Sequence, residues 1–170
     1  MFMIIQKCSL WKVAEIFFEE PTKIHFIKEI SRKINLATTS VKVHLQKLTE
    51  QGIIEQVKSE PFNGFKAKRE NPEFIFNKKI ANLMLIENSG LIEKLKEKYP
   101  ASIILYGSYN KGEDIENSDI DFFVDSKKFK FNVQKFEDIL KRKIHLIFKE
   151  EVSKDLAESI KQGTIIFGER

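Results

Sequence analysis

One stretch constrains this chain more than any other. Residues 103–125 read Ile-Ile-Leu-Tyr-Gly-Ser-Tyr-Asn-Lys-Gly-Glu-Asp-Ile-Glu-Asn-Ser-Asp-Ile-Asp-Phe-Phe-Val-Asp. An apolar strand runs into a Gly107-Ser108 corner, a polar segment with a second glycine at Gly112 follows, and a second strand begins at Asp119. Side chains two apart on a strand share a face, so Asp119 and Asp121 project together while Ile120 turns into the core. Two adjacent carboxylates repel, and a divalent cation is the usual remedy; oxygen donors point to Mg²⁺ or Mn²⁺. A Gly-Ser corner lets backbone amides and the Ser108 hydroxyl approach phosphate closely.

The rest of the chain supplies the frame. Residues 7–19 carry Leu10, Val13, Ala14, Phe17 and Phe18 at helical spacing, and Pro21-Thr22 breaks them. A second helix is expected over 24–33, with Ile27 and Ile30 inward, and a turn at Asn35-Leu36. Thr38-Thr39-Ser40 opens a third, anchored by Val41, Leu45 and Leu48 and stopped at Gln51-Gly52. Two β-like runs, 53–58 and 74–76, flank a turn containing Pro61 and Asn63-Gly64. Beyond a helix over 78–98 and a seam at Pro100, the pattern predicts strand 102–106, loop, strand 119–125, helix 132–141, strand 143–148 and helix 150–162.

The expected fold class is therefore α+β, with an N-terminal domain over 1–80, a connecting helix over 81–98 and a C-terminal domain over 99–170. The second domain would be a small mixed sheet with flanking helices. A hydrophobic share of 42% and a charged share of 32% suit packed cores beneath polar surfaces. No apolar run approaches the ~20 residues that span a bilayer. The start, Met1-Phe2-Met3-Ile4-Ile5, lacks a basic leader, and Cys8 is a lone cysteine; the expectation is a cytoplasmic protein without a membrane partner. Residues 1–80 hold 14 Lys and Arg against 9 Asp and Glu, and the remainder 15 against 16, so only the front half favours a polyanion.

Three short helices, a glycine stop and a hairpin make a winged helix-turn-helix. Ile30 to Leu36, Thr39 to Leu45, Leu48 and Gly52-Ile53-Ile54 resemble the recognition segment of bacterial and archaeal winged-helix regulators. The resemblance implies a DNA partner. Thr39, Ser40, Lys42, Val43, His44 and Lys47 would lie on the groove face, and Lys58, Lys66, Lys68 and Arg69 would grip the backbone from the wing. His44 at the border of that face suits half-buried packing as well as base contact. Phe62 and Phe65 suit either wing packing or stacking. Phe2, Ile4, Ile5 and Trp11 are spare apolar surface for pairing two copies, so a homodimer is expected.

In the back half, Gly107-Ser108, three residues, Gly112, five residues and Ser118-Asp119-Ile120-Asp121 resemble the DNA polymerase beta-like nucleotidyltransferase superfamily. The likeness is to its minimal members, some of which act as antitoxins beside HEPN-type partners. It implies transfer of a nucleoside monophosphate from an NTP to an acceptor hydroxyl. Asp119 and Asp121 would ligate Mg²⁺, and Gly107, Ser108, Lys111, Gly112 and Ser118 would attend the nucleotide. Lys111 stands where an arginine is common.

One position departs from the pattern. Active members carry a third carboxylate on a neighbouring strand, and here that strand reads Lys143-Ile144-His145-Leu146-Ile147-Phe148. His145 could act as a general base, leaving catalysis intact. Alternatively the domain binds nucleotide without turnover, or serves as a partner-binding scaffold in a non-catalytic, nucleotide-sensing or toxin-binding regulator. A satisfied strand histidine facing a helix is the plainest alternative.

Overall fold

The computed structural model describes residues 8–98 and 101–169. The chain separates into two compact units, Met1–Ala81 and Asn82–Arg170.

The first unit begins with α1 (Ser9–Glu19), whose Val13, Ala14, Ile16, Phe17 and Phe18 are buried. Trp11 is buried too, at 8% exposure, and its indole donates to Glu15 at 2.7 Å. It is core, not spare surface for pairing; Phe2, Ile4 and Ile5 lie outside the described residues. α2 (Ile27–Ile34) buries Ile30 fully and Ile27 only partly. It ends on Asn35, whose φ of 51° is the left-handed conformation asparagine tolerates better than most residues. α3 (Thr38–Glu50) rests on Val41, Leu45 and Leu48, each at most 1% exposed. This i, i+4, i+7 stripe is what lets a short polar helix dock. Gly52 then takes φ +72°, with no room for a Cβ beside Asn71.

The wing pairs β1 (Ile54–Val57) with β2 (Gly64–Ala67), antiparallel, and His25 joins by a bridge to Phe65. The expected second strand at 74–76 is not one. Those residues belong to α4 (Pro72–Ser89), which Asn71 caps by accepting from the Glu73 amide at 2.8 Å, with Pro72 at the first helical position. Phe74 and Phe76, two residues apart, fall on different sides of the helix, and only Phe74 is buried. Lys78, 1% exposed, donates to the Phe18 carbonyl in the last turn of α1, where a cation is favoured.

The single helix expected over 78–98 is broken. α4 stops at Ser89 and α5 (Leu91–Lys98) restarts after Gly90, at φ +74°. The second unit is built on a four-stranded sheet of order β5-β4-β3-β6: β3 (Ile103–Tyr106), β4 (Ile120–Val124), β5 (Ile144–Phe148) and β6 (Thr164–Phe167). β4 and β5 run parallel and the other pairs antiparallel. β6 was not expected from sequence; the final helix is shorter, α8 (Lys154–Lys161), after a 3₁₀ turn over Lys149–Glu151, and Gly163 turns the chain back onto the β3 edge. A helical turn, α6 (Gly107–Lys111), replaces the expected loop after β3, and α7 (Gln134–Leu140) precedes β5.

Alternation sorts the strands onto two faces. Ile103, Leu105, Ile120, Phe122 and Ile144 join Ile86, Leu91, Ile92, Leu95 and Phe136 in the larger core. Ile104, Tyr106, Phe123, Ile147, Leu156 and Ile160 form a smaller cluster on the other face. That second cluster is shallow, which leaves the strand ends on its face open for a site.

Candidate functional site

The sheet register assembles the site. Tyr106 pairs with Asp121 across β3 and β4, and Asp121 pairs with His145 across β4 and β5. Paired residues project to the same side, so the three side chains form a row at one end of the smaller face. Asp119, just ahead of β4, adds the second carboxylate. The expected pairing of Asp119 with Asp121 is thus realised, and His145 stands directly beside it.

His145 turns Nδ1 to Asp121 Oδ1 at 3.5 Å and Nε2 to Asp119 Oδ2 at 3.7 Å. Its side chain is 57% exposed, against 40% for Asp119 and 26% for Asp121. It is therefore not a strand histidine satisfied by a helix. Burial raises the Asp121 carboxyl above its ordinary range; His145 opposes the rise and Asp119 reinforces it. Burial, with the Asp121 charge, pushes the Tyr106 hydroxyl up to about 12, so it stays a neutral phenol at physiological pH.

Gly107 is the tightest element. Its φ is +75°, and a Cβ there would lie 2.6 Å from Asp121 Oδ2. Only glycine turns β3 into α6 against that carboxylate. Gly112, also at φ +75°, closes α6 by donating to the Ser108 carbonyl. The Ser118 hydroxyl accepts from the Ile115 amide at 2.9 Å, closing the turn that delivers Asp119. Gly112 and Ser118 thus shape the backbone around the site. Ser108 is half-buried and Lys111 exposed at the end of α6.

Sequence reading missed the support beneath this row. Asn82 donates to Asp114 Oδ1 at 2.7 Å and to the Tyr109 carbonyl at 2.8 Å, and Arg142 lies 3.9 Å from Asp114 Oδ2. Asp114 and Asn82 are buried. An Asp inside a Gly-to-Asp loop reads as surface; nothing local signals a partner 32 residues upstream.

The donor set does not suit a resident Mg²⁺ held by three side chains. Among the described residues, no group of three or more His, Cys, Asp and Glu is arranged to hold a metal ion. At this site the imidazole faces each carboxylate with a different nitrogen instead of turning one nitrogen to a shared point.

On α3, Thr39, Lys42, Val43 and Lys47 are exposed and Ser40 half-buried, with Val43 at 52%. His44 differs from the expectation of a groove residue. Its Nε2 lies 2.9 Å from Ser9 Oγ and its Nδ1 is buried without a hydrogen bond, so it packs toward α1, and burial lowers its pKa. In the wing, Lys66 pairs with Glu55 at 3.1 Å, which lowers its availability to phosphate, whereas Lys58, Lys68 and Arg69 are exposed. Phe65 packs in the wing; Phe62, 68% exposed, does not.

Residues 27–55 match the winged helix-turn-helix DNA-binding family, and residues 89–167 match the nucleotidyltransferase domain family. The protein is a fusion of a winged helix-turn-helix with a nucleotidyltransferase domain. No curated protein matches the chain. Two variants of Lactococcus lactis ZitR resemble it at 16% and 15% identity, covering 58% and 52% of this chain and 66% and 61% of theirs, each with a TM-score of 0.41. This chain thus spans less than two thirds of either. Among the described residues no helix is long and apolar enough to cross a membrane.

Proposed function

We propose that this protein is a DNA-binding regulator whose nucleotidyltransferase-fold half binds a nucleotide as a signal and does not transfer it. The observation that carries this reading is His145 seated against both Asp119 and Asp121. Two-metal transfer needs carboxylates free to share ions with the triphosphate and the attacking oxygen. A nucleotide would enter beside Gly107, with Ser108 and Lys111 toward its phosphates. The exposed face of α3 would dock DNA in the cytoplasm, and two copies would read two half-sites. A HEPN-type protein is the partner the family resemblance suggests.

Nucleotidyl transfer is the second reading, and the exposure of the imidazole favours it, since a general base must reach an acceptor. One assay separates the two. The full chain is incubated with each labelled NTP, Mg²⁺ or Mn²⁺ and candidate acceptors, beside an Asp119→Ala/Asp121→Ala control. The regulator reading expects saturable nucleotide binding and a nucleotide-dependent change in DNA affinity, without pyrophosphate release. Pyrophosphate release that the control abolishes would overturn it.

A further inference from the structure

We infer that His145 occupies the place of a divalent cation between Asp119 and Asp121, and that this one residue decides whether the pair can hold a metal. The inference concerns the same site and rests on Asp119 and Asp121 being the pair that faces the nucleotide.

Three observations combine. First, the parallel register sets His145 beside Asp121, and the i, i+2 relation brings Asp119 to the same side. The register thus places the His145 side chain on the side of the sheet that carries both carboxylates. Second, each carboxylate faces its own ring nitrogen, at 3.5 Å and 3.7 Å. The two nitrogen lone-pair directions of an imidazole diverge, so no single ion can be ligated by both. An ion shared by the carboxylates and one nitrogen would need all donors to converge at roughly 2.0–2.2 Å. Third, two carboxylates that face the same ring repel one another, and an imidazole N–H given to one of them relieves part of that repulsion, as a cation would. A carboxylate at position 145 would reverse this logic, adding a third acceptor that only a cation could satisfy.

The side chain at 145 is exposed and packs in neither core cluster, so substitution should leave the domain folded. The test uses the full chain without nucleotide, titrated with Mn²⁺ and followed by the electron paramagnetic resonance signal of the free ion. Wild type, His145→Ala and His145→Asp are compared, each checked for fold by circular dichroism. His145→Asp should bind Mn²⁺ at least tenfold more tightly than wild type, and His145→Ala should bind no more weakly than wild type. The gain should vanish when Asp121→Asn is added to His145→Asp. Wild type binding as tightly as His145→Asp would overturn the inference. So would weaker binding by His145→Ala, which would make the imidazole a ligand. If nucleotide fails to bind while His145→Asp still gains Mn²⁺, the sensing reading falls and this one stands.

Discussion

Gly107 and Asp121 meet so closely that a single methyl on the glycine would lie 2.6 Å from a carboxylate oxygen. The contact ties the corner after β3 to the acid on β4, so the two halves of the sequence signature form one physical unit. Gly107→Ala would both strain a left-handed residue and push Asp121 from its place. The left-handed strain alone should cost about 1–2 kcal/mol, with the displacement added to it. The thermal midpoint of the full chain should fall and nucleotide binding should be lost. Wild-type affinity in a folded Gly107→Ala protein would show that the corner does not serve the nucleotide.

Asn82 carries two hydrogen bonds inside the second unit, to Asp114 and to the Tyr109 carbonyl. Asn82→Ala would leave a buried carboxylate and a buried carbonyl each short of a donor. Such losses typically cost about 2–4 kcal/mol, because burial withholds the compensating water. Denaturant unfolding, followed by a probe in the nucleotidyltransferase domain, checks this. A change below about 0.5 kcal/mol, the level of an ordinary surface substitution, would mean that water reaches Asp114.

Lys42 and Lys47 share the exposed face of α3. If each neutralises one phosphate, Lys42→Ala with Lys47→Ala should flatten the dependence of log affinity on log salt by about 2. His44→Ala should leave that slope unchanged and lower stability instead, since its imidazole is engaged with Ser9. A mobility-shift series across salt concentrations measures both. An unaltered slope in the double lysine variant would contradict the docking of α3.

Glu20 accepts from Lys23 and, at 2.8 Å, from Lys33, and these two bonds pull its carboxyl down to about 2 from an ordinary 4.5. A depressed folded-state pKa favours the folded state once the unfolded carboxyl has ionised. That contribution is full above about pH 4.5 and is lost as pH falls toward about 2. Glu20→Gln should therefore flatten the acid limb of stability in that window, with little further change in slope above it. Parallel acid titrations of wild type and variant, read by far-ultraviolet circular dichroism, give the comparison.

Much of this protein was legible in its sequence, for identifiable reasons. Val41, Leu45 and Leu48 disclosed α3 because helical burial repeats locally. The Gly107 to Asp121 spacing disclosed a corner and a strand because turn geometry and i, i+2 alternation are also local. The failures are of another kind. Phe74–Phe76 resembled a strand, since three residues cannot separate a period of two from one of 3.6. The β6 strand was hidden because Thr164–Phe167 becomes a strand only by pairing with the edge of β3.

The sequence by itself determined that two carboxylates share a face and that a glycine corner precedes them, and the family resemblance marked residue 145 as a histidine where an acid is usual. Only the tertiary structure decided what that histidine faces. The parallel pairing of β4 with β5 sets residue 145 against residue 121, although 24 positions separate them in the chain. Neither strand encodes that register alone; it comes from packing their apolar faces into one core. For the same reason His44 became a packing residue and Trp11 a core residue. The identity of a side chain is local, but its partner is chosen by the fold.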